Sequence, residues 1–190
     1  MLTRRFEDAF LYAAHLHAAQ LRKGSQIPYI SHLMGVAALV LEYGGGEDQA
    51  IAALLHDAVE DQGGEPIRRE IRARFGARVA EIVDGCTDTD QEPKPPWRPR
   101  KEEFLLSLRR ASPAVRLVVA CDKLHNARAM ARDYRMCGEA IWSRFTGRRE
   151  GTLWYYRALV DALRCEEIAP LVAELDRAVG ELEALAAEPV

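Results

Sequence analysis

Residues 51–61 read IAALLHDAVED, and this stretch decides how the rest of the chain is interpreted. Its spacing predicts a helix from about Glu47 to Asp61 with a largely apolar surface. His56 and Asp57 interrupt that apolar run. Burying such a pair costs several kcal/mol unless the two groups are hydrogen bonded or bind a metal. The stretch therefore predicts either a hydrogen-bonded His–Asp pair in the core or two neighbouring metal ligands.

Two further carboxylates follow one helical turn later. Glu60 lies four residues after His56, and Asp61 lies four residues after Asp57. In a continuous helix this spacing directs all four side chains toward one region.

Two other polar residues stand beside apolar runs. Asp122 follows the five apolar residues 117–121, with Asn126 one turn later, and His32 begins an otherwise apolar helix. Taken singly, Asp122 could be balanced by its neighbour Lys123, and His32 could be an ordinary N-terminal or core histidine.

Taken together, these residues form a mixed nitrogen and oxygen donor set. Its members are His32, His56, Asp57 and Asp122. Such a set suits Mn²⁺, Fe²⁺, Zn²⁺ or Mg²⁺ with positions left open for water. A bound metal lowers the pKa of its water near neutrality. Glu60 and Asp61 would then position or deprotonate that water.

Outside this region the chain predicts an all-α fold. Alanine is abundant, with 29 residues, and no long alternation of apolar and polar residues suggests a strand. Glycine, proline and capping residues divide the sequence into predicted helices over residues 4–22, 32–43, 47–61, 66–75, 77–86, 101–111 and 114–134, with two or three more after Glu139. Ser31 is the expected N-cap of the second helix. The Pro-rich segment 87–100 reads as a surface loop.

The length of 190 residues predicts a single domain, residues 1–190. Its net charge of −3 gives no basic excess for a nucleic-acid or anionic-membrane partner. No apolar run approaches the roughly 18 residues of a membrane span, and the N-terminus lacks a secretory signal pattern. The four cysteines are widely spaced and predict reduced thiols in a cytoplasmic protein.

Four segments resemble a known family. The order H…HD…D is that of the HD phosphohydrolase superfamily. The segments HAAQLRKGSQIPYISH, AALLHDAVED, FGARVAEIVDG and RLVVACDKLHNARAM resemble the hydrolase domain of the RelA/SpoT alarmone enzymes. Because no synthetase domain is attached, the chain is most similar to the small, Mesh1-like alarmone hydrolases. The resemblance covers a catalytic core of about residues 4–132, followed by C-terminal helices at about 139–188.

The resemblance implies a site and a reaction. It assigns His32, His56, Asp57 and Asp122 as ligands of one divalent ion, with Mn²⁺ expected. It makes Glu60 and Asp61 the catalytic pair, and it places Arg22, Lys23 and Asn126 on the base and ribose of a nucleotide. The implied reaction is hydrolysis of the 3′-pyrophosphate of (p)ppGpp to GDP or GTP and pyrophosphate. A different nucleotide such as (p)ppApp or NADPH, or a non-catalytic nucleotide-binding role, is the alternative.

The chain departs from the family pattern in a few places. Leu33 replaces the usual proline after the first metal histidine, and Ala129 replaces a hydroxyl residue. The tail interleaves Arg144, Arg148, Arg149 and Arg157 with aromatic residues from Trp142 to Tyr156. This tail is either a lid whose arginines bind phosphate or a helix whose aromatics pack on the core.

Overall fold

The computed structural model describes residues 1–91 and 93–187 as an all-α protein. Its ten α-helices are α1 Arg4–Leu16, α2 Ile30–Glu42, α3 Glu47–Leu55, α4 Ala58–Gln62, α5 Glu65–Phe75, α6 Ala77–Cys86, α7 Trp97–Leu108, α8 Pro113–Cys137, α9 Arg148–Leu163 and α10 Ala169–Ala187. Two 3₁₀ helices span Gly138–Arg144 and Glu166–Ile168. Within this described part no strand forms, and one isolated bridge joins Leu21 to Pro28.

Helix α8 is the central helix of the fold. It contacts α2, α3, α6, α9 and α10. Ser112 caps its start by accepting a hydrogen bond from the Val115 amide, and Pro113 occupies the first turn, where no amide donor is required. Every residue of α3 from Ala50 to Leu55 is buried. The polar residues next to these two helices are consequently held in the interior.

Several predicted helix boundaries were wrong. The first helix ends at Leu16 instead of Arg22, because the chain reverses through Gly24, whose φ is +69°. The Arg22 amide donates to the Ile27 carbonyl and the Tyr29 amide to the Gln20 carbonyl, which closes this turn. The second helix consequently begins at Ile30, and Ser31 does not cap it.

The predicted continuous helix 47–61 is divided into α3 and α4 by a turn at His56 and Asp57. Asp57, with φ −98° and ψ −2°, departs from helical geometry and starts the new helix. Helix α7 begins at Trp97, before the expected Lys101, and α8 extends to Cys137.

The C-terminal segment forms the 3₁₀ helix Gly138–Arg144 and then α9 and α10, which pack on each other and on α8. Pro170 is the second residue of α10, where its missing amide donor costs no helical hydrogen bond. Glu188, at the end of the predicted tail, and Glu92, in the predicted Pro-rich loop, lie outside the described residues. No helix among the described residues is long and apolar enough to cross a membrane.

Candidate active site

Three separate parts of the chain meet at one buried polar cluster. His32 comes from the first turn of α2, His56 and Asp57 from the turn between α3 and α4, and Asp122 from the middle of α8. One ligand atom each of His32, His56 and Asp57 lies within 4.8 Å of the others. Asp122 Oδ1 lies 3.2 Å from His32 Nε2 and 3.5 Å from His56 Nε2. The structure thus brings all four predicted ligands together.

The imidazole tautomers show what this cluster requires. His56 Nδ1 lies 2.8 Å from the Ala53 carbonyl, so Nδ1 carries the proton and Nε2 presents a lone pair. The Nε2 atoms of both His32 and His56 are buried without a hydrogen-bond partner. His56 Nε2 instead faces Asp57 Oδ2 at 3.0 Å. Two lone pairs directed at carboxylates are satisfied by a cation between them, so this donor set fits a divalent metal.

The charges of the cluster shift its pKa values in opposite directions. Burial alone would raise the pKa of Asp122, but the Lys123 ammonium and the two imidazoles hold it well below its usual range. Burial would lower the pKa of His56, yet Asp57 and Asp122 raise it well above its usual range. Burial lowers the pKa of His32. The two carboxylates therefore stay ionised and attract either a proton on His56 or a metal cation.

Further side chains hold the four candidate ligands in place. Tyr29 donates a 2.5 Å hydrogen bond to Asp57 Oδ2, and burial together with the Asp57 charge raises the pKa of this tyrosine, so it remains a donor. Lys123 Nζ lies 2.6 Å from Asp122 Oδ2. His125 Nδ1 lies 2.9 Å from His32 Nδ1. In the sequence Lys123 stands directly after Asp122, but no spacing signal links Tyr29 to Asp57 or His125 to His32.

The cluster lies at the floor of a cleft of about 330 Å³. Seven of the nine predicted site residues line this cleft, namely Arg22, Lys23, Asp57, Glu60, Asp61, Asp122 and Asn126. The other two, His32 and His56, are buried, with 0% and 2% of their surface exposed.

Glu60 and Asp61 each have a partner from outside α4. Lys94, from the segment between α6 and α7, donates a 2.9 Å hydrogen bond to Glu60 Oε1. Gln20, from the turn after α1, donates a 2.8 Å hydrogen bond to Asp61 Oδ2. Both carboxylates therefore remain in the cleft although the helix containing His56 and Asp57 is interrupted.

Arg22 and Asn126 are linked across the cleft. Arg22 Nη2 donates to Asn126 Oδ1 at 2.6 Å, and Asn126 Nδ2 donates to Asp122 Oδ1 at 2.5 Å. The Arg22 guanidinium also lies 5.7 Å from the Tyr29 ring centre. Lys23 is exposed at the rim. Arg22 is consequently fixed relative to the candidate metal ligands, with one face of its guanidinium partnered by an aromatic ring.

Four more cations line the cleft: Lys101, Lys123, Arg132 and Arg144. Lys101 and Arg132 had no distinguishing motif in the sequence. Arg144 belongs to the arginine-rich tail that the sequence analysis singles out. It lies against Gly24, where an added Cβ would come 2.5 Å from Arg144 Cδ, and it pairs with Asp133 at 3.1 Å. A concentration of cations beside a cluster of candidate metal ligands suits a substrate with several phosphate groups.

In the rest of the tail, the aromatic residues pack on the core and the arginines lie away from the cleft. Trp142, Tyr155 and Tyr156 are buried in the core. Arg157 pairs with Asp176 and Glu183 of α10. Arg149 donates to the Ala186 carbonyl, and Arg148 is exposed. Only Arg144 among the four tail arginines lines the cleft.

Comparison with known proteins yields one family model and several relatives. The model, described as HD domain, matches residues 9–153, a range that contains all nine predicted site residues. The mouse guanosine-3′,5′-bis(diphosphate) 3′-pyrophosphohydrolase MESH1 is 37% identical over 139 residues, which cover 72% of this chain and 73% of the mouse protein. The Aquifex aeolicus guanosine-3′,5′-bis(diphosphate) 3′-pyrophosphohydrolase is 34% identical over 124 residues, 65% of this chain and 17% of that longer protein.

Solved structures are similar over most of the chain. A metazoan ortholog of SpoT, described as hydrolysing ppGpp, superimposes with a TM-score of 0.77 at 27% identity, over 94% of this chain and 95% of that chain. A structure from Listeria monocytogenes superimposes with a TM-score of 0.69 at 29% identity, over 78% of this chain and 96% of that chain.

Proposed function

The chain belongs to the HD-domain family, among the small alarmone hydrolases related to MESH1, and we propose that its substrate is (p)ppGpp. It is a hydrolase that converts the 3′-pyrophosphate ester of the guanosine alarmone to a free 3′ hydroxyl, releasing pyrophosphate and leaving GDP or GTP. The observation that carries this proposal is the pair of unpartnered imidazole Nε2 atoms facing two ionised carboxylates beneath a cation-lined cleft.

We propose that His32, His56, Asp57 and Asp122 hold one divalent ion, with Mn²⁺ as the expected metal. Two imidazole nitrogens and two carboxylate oxygens suit Mn²⁺, and the same set accepts Fe²⁺, Zn²⁺ or Mg²⁺. When bound, such an ion supplies a water nucleophile with a pKa near neutrality. Tyr29 and Lys123 each engage one carboxylate of the set, which fixes the orientation of these ligands.

Glu60 and Asp61 are proposed to handle the attacking water. Both line the cleft beside Asp57. Burial, together with the negative charge of Asp57, raises the pKa of the Asp61 carboxyl above its usual value and so makes it a stronger base. A carboxylate at this position accepts a proton from water and returns one to the departing 3′ oxygen of the ribose.

The phosphates would be held by the cations of the cleft. Lys123 contacts Asp122, and Arg144 lies against the turn at Gly24. Lys101 and Arg132 line the same cleft. These groups neutralise the charge that develops on the pyrophosphate as its bond to the 3′ oxygen breaks. The same arrangement accommodates both the 3′ and the 5′ phosphates of an alarmone.

Recognition of the nucleoside is assigned to Arg22, Lys23 and Asn126. Arg22 is held by Asn126 and flanked by the Tyr29 ring, which leaves a planar guanidinium for stacking on a purine. Stacking alone does not distinguish guanine from adenine, so (p)ppApp is the natural comparison substrate.

The domain arrangement and the location belong to the same proposal. We expect residues 1–190 to act as one domain with a catalytic core at about 4–132, supported by the packing of α9 and α10 on α8. A cytoplasmic location is supported by the four cysteines, which are free thiols in the structure.

The proposal is tested by following the products of the metal-loaded protein. Incubation with ppGpp and Mn²⁺ should release pyrophosphate and GDP in equal amounts, with slower turnover of NADPH, and ppApp is measured alongside as the adenine analogue. GDP, which lacks the 3′-pyrophosphate, serves as the blank. Release of orthophosphate from ppGpp, or faster turnover of NADPH than of ppGpp, would contradict the assigned reaction.

A further inference from the structure

A chain of polar side chains links the buried end of α1 to the catalytic pair. His17 is 2% exposed and lies directly after the last residue of α1. Its Nδ1 atom lies 2.6 Å from Oε1 of Gln20. Nε2 of Gln20 in turn donates to Oδ2 of Asp61 at 2.8 Å. The contacts thus run without a gap from a buried imidazole to a carboxylate of the cleft.

The orientation of the Gln20 amide is determined by its neighbours. Its Oε1 atom accepts from His17 Nδ1 and also from Gln62 Nε2 at 2.6 Å, so both acceptor sites of that oxygen are used. Reversing the amide would set its NH₂ group against the NH₂ group of Gln62 and its oxygen against the Asp61 carboxylate. Because an ionised carboxylate only accepts hydrogen bonds, Asp61 fixes the orientation in which the Gln20 NH₂ group points to it.

His17 is itself held firmly. Its ring stacks on Tyr29 with the ring centres 5.4 Å apart and the planes 21° apart. Tyr29 donates to Asp57, so one buried imidazole supports both a metal-ligand candidate and, through Gln20, the catalytic pair.

We propose that Gln20 is a positioning residue for the reaction, which fixes the Asp61 carboxylate through a hydrogen bond of predetermined direction. With Oδ2 engaged by Gln20, Oδ1 is the oxygen available to water or to the leaving group. Gln20 acts through Asp61 and contributes no chemical step of its own. This inference rests on the proposed hydrolytic function, because it assigns Asp61 a part in that reaction.

A double-mutant cycle with Asp61 tests the proposal. Gln20→Met keeps the side-chain length but removes the donor, and it should lower kcat between about 10-fold and 100-fold, the scale of a misplaced catalytic group. KM should stay within about 2-fold, because ground-state binding is not changed. Gln20→Glu keeps the side-chain shape but places an oxygen against Asp61, so kcat should fall by a similar factor. In an Asp61→Asn background, Gln20→Met should cause no further loss.

Two results would overturn the assignment. If Gln20→Met lowers kcat by the same factor with and without Asp61→Asn, Gln20 does not act through Asp61. If KM rises while kcat is unchanged, Gln20 binds substrate. Gln26→Met, at an exposed position of the same turn, is the matched control and should leave kcat and KM unchanged.

A measurement without substrate separates this inference from the proposed function. In the NMR spectrum of the full chain, the side-chain NH₂ signal of Gln20 should move when Asp61→Asn replaces the charged acceptor, while the signal of Gln26 stays in place. An unmoved Gln20 signal would refute the contact. If the Gln20 signal moves as expected but the wild-type protein releases no pyrophosphate from ppGpp, only the proposed function is contradicted.

Discussion

His32 and His125 face each other through their Nδ1 atoms, 2.9 Å apart. Burial lowers the pKa of His125 to about 4, so near neutral pH its ring is uncharged and its Nδ1 can accept a hydrogen bond. His32 then donates from Nδ1 and presents the lone pair of Nε2 to Asp122. A hydrogen bond in this direction holds His32 in the tautomer whose Nε2 can bind a metal.

Removing His125 should weaken metal binding without removing a ligand. His125→Ala frees the His32 ring to turn and to change its tautomer, and we expect the metal affinity to fall by about 10- to 100-fold, as for other partners of metal-binding histidines. Titration of the metal-free protein with Mn²⁺ measures this loss. His15→Ala, on the exposed side of α1, is the matched control. An unchanged affinity in His125→Ala would show that the contact with His32 has no role in metal binding.

Gly35 allows His125 to approach α2 closely. A Cβ atom at Gly35 would lie 2.4 Å from His125 Nε2, which is a severe overlap. Gly35→Ala should therefore lower the thermal midpoint and the metal affinity together, and His125→Ala should relieve most of the loss in midpoint. Gly180→Ala, in α10 with nothing within 4 Å of the added atom, should instead stabilise the protein by about 0.5–1 kcal/mol. Equal midpoints for Gly35→Ala and Gly180→Ala would contradict this packing argument.

The fold class and the members of the buried polar cluster could be predicted from the sequence because both leave local patterns. Apolar residues at helical spacing predict helices, and His32, His56, Asp57 and Asp122 are conspicuous as polar residues placed beside apolar runs. The all-α fold is confirmed by the structure and by the related proteins.

The parts that were missed depend on contacts between distant segments. The turn at Gly24 ends α1 early because the Arg22 amide pairs with the Ile27 carbonyl and the Tyr29 amide pairs with the Gln20 carbonyl, an arrangement that helix propensity does not report. The contacts of Lys94 with Glu60 and of Gln20 with Asp61 span 34 and 41 residues. No spacing rule connects positions so far apart.

Glu60 is expected to be needed for turnover and not for metal binding. Glu60→Gln keeps the side-chain shape and loses the base, so kcat should fall by roughly 10² or more while metal content stays at the wild-type level. Steady-state pyrophosphate release and elemental analysis on the same preparation measure both quantities. Glu81→Gln, exposed on α6, is the control. A near-normal kcat in Glu60→Gln would show that Glu60 is not the base and serves only in its ion pair with Lys94.

Arg22 should contribute to substrate affinity more than to the chemical step. A guanidinium plane stacked on a base contributes roughly 1–3 kcal/mol, and each 1.4 kcal/mol corresponds to about 10-fold in affinity. Arg22→Ala should therefore raise KM for ppGpp more than it lowers kcat, with unchanged metal content. Arg110→Ala, at an exposed position in the turn after α7, is the control variant. A lower thermal midpoint with an unchanged KM would make Arg22 structural, since its bond to Asn126 also links two segments of the fold.

The central claim is that one divalent ion, held by the His32, His56, Asp57 and Asp122 cluster, is required to release pyrophosphate from ppGpp. The most direct measurement adds Mn²⁺ stepwise to metal-stripped protein while bound metal and pyrophosphate release are recorded together. We predict no turnover without metal, full turnover at one bound ion per chain, and neither binding nor turnover in His56→Ala. Pyrophosphate release by the stripped wild type, or one tightly bound ion in His56→Ala, would contradict the account.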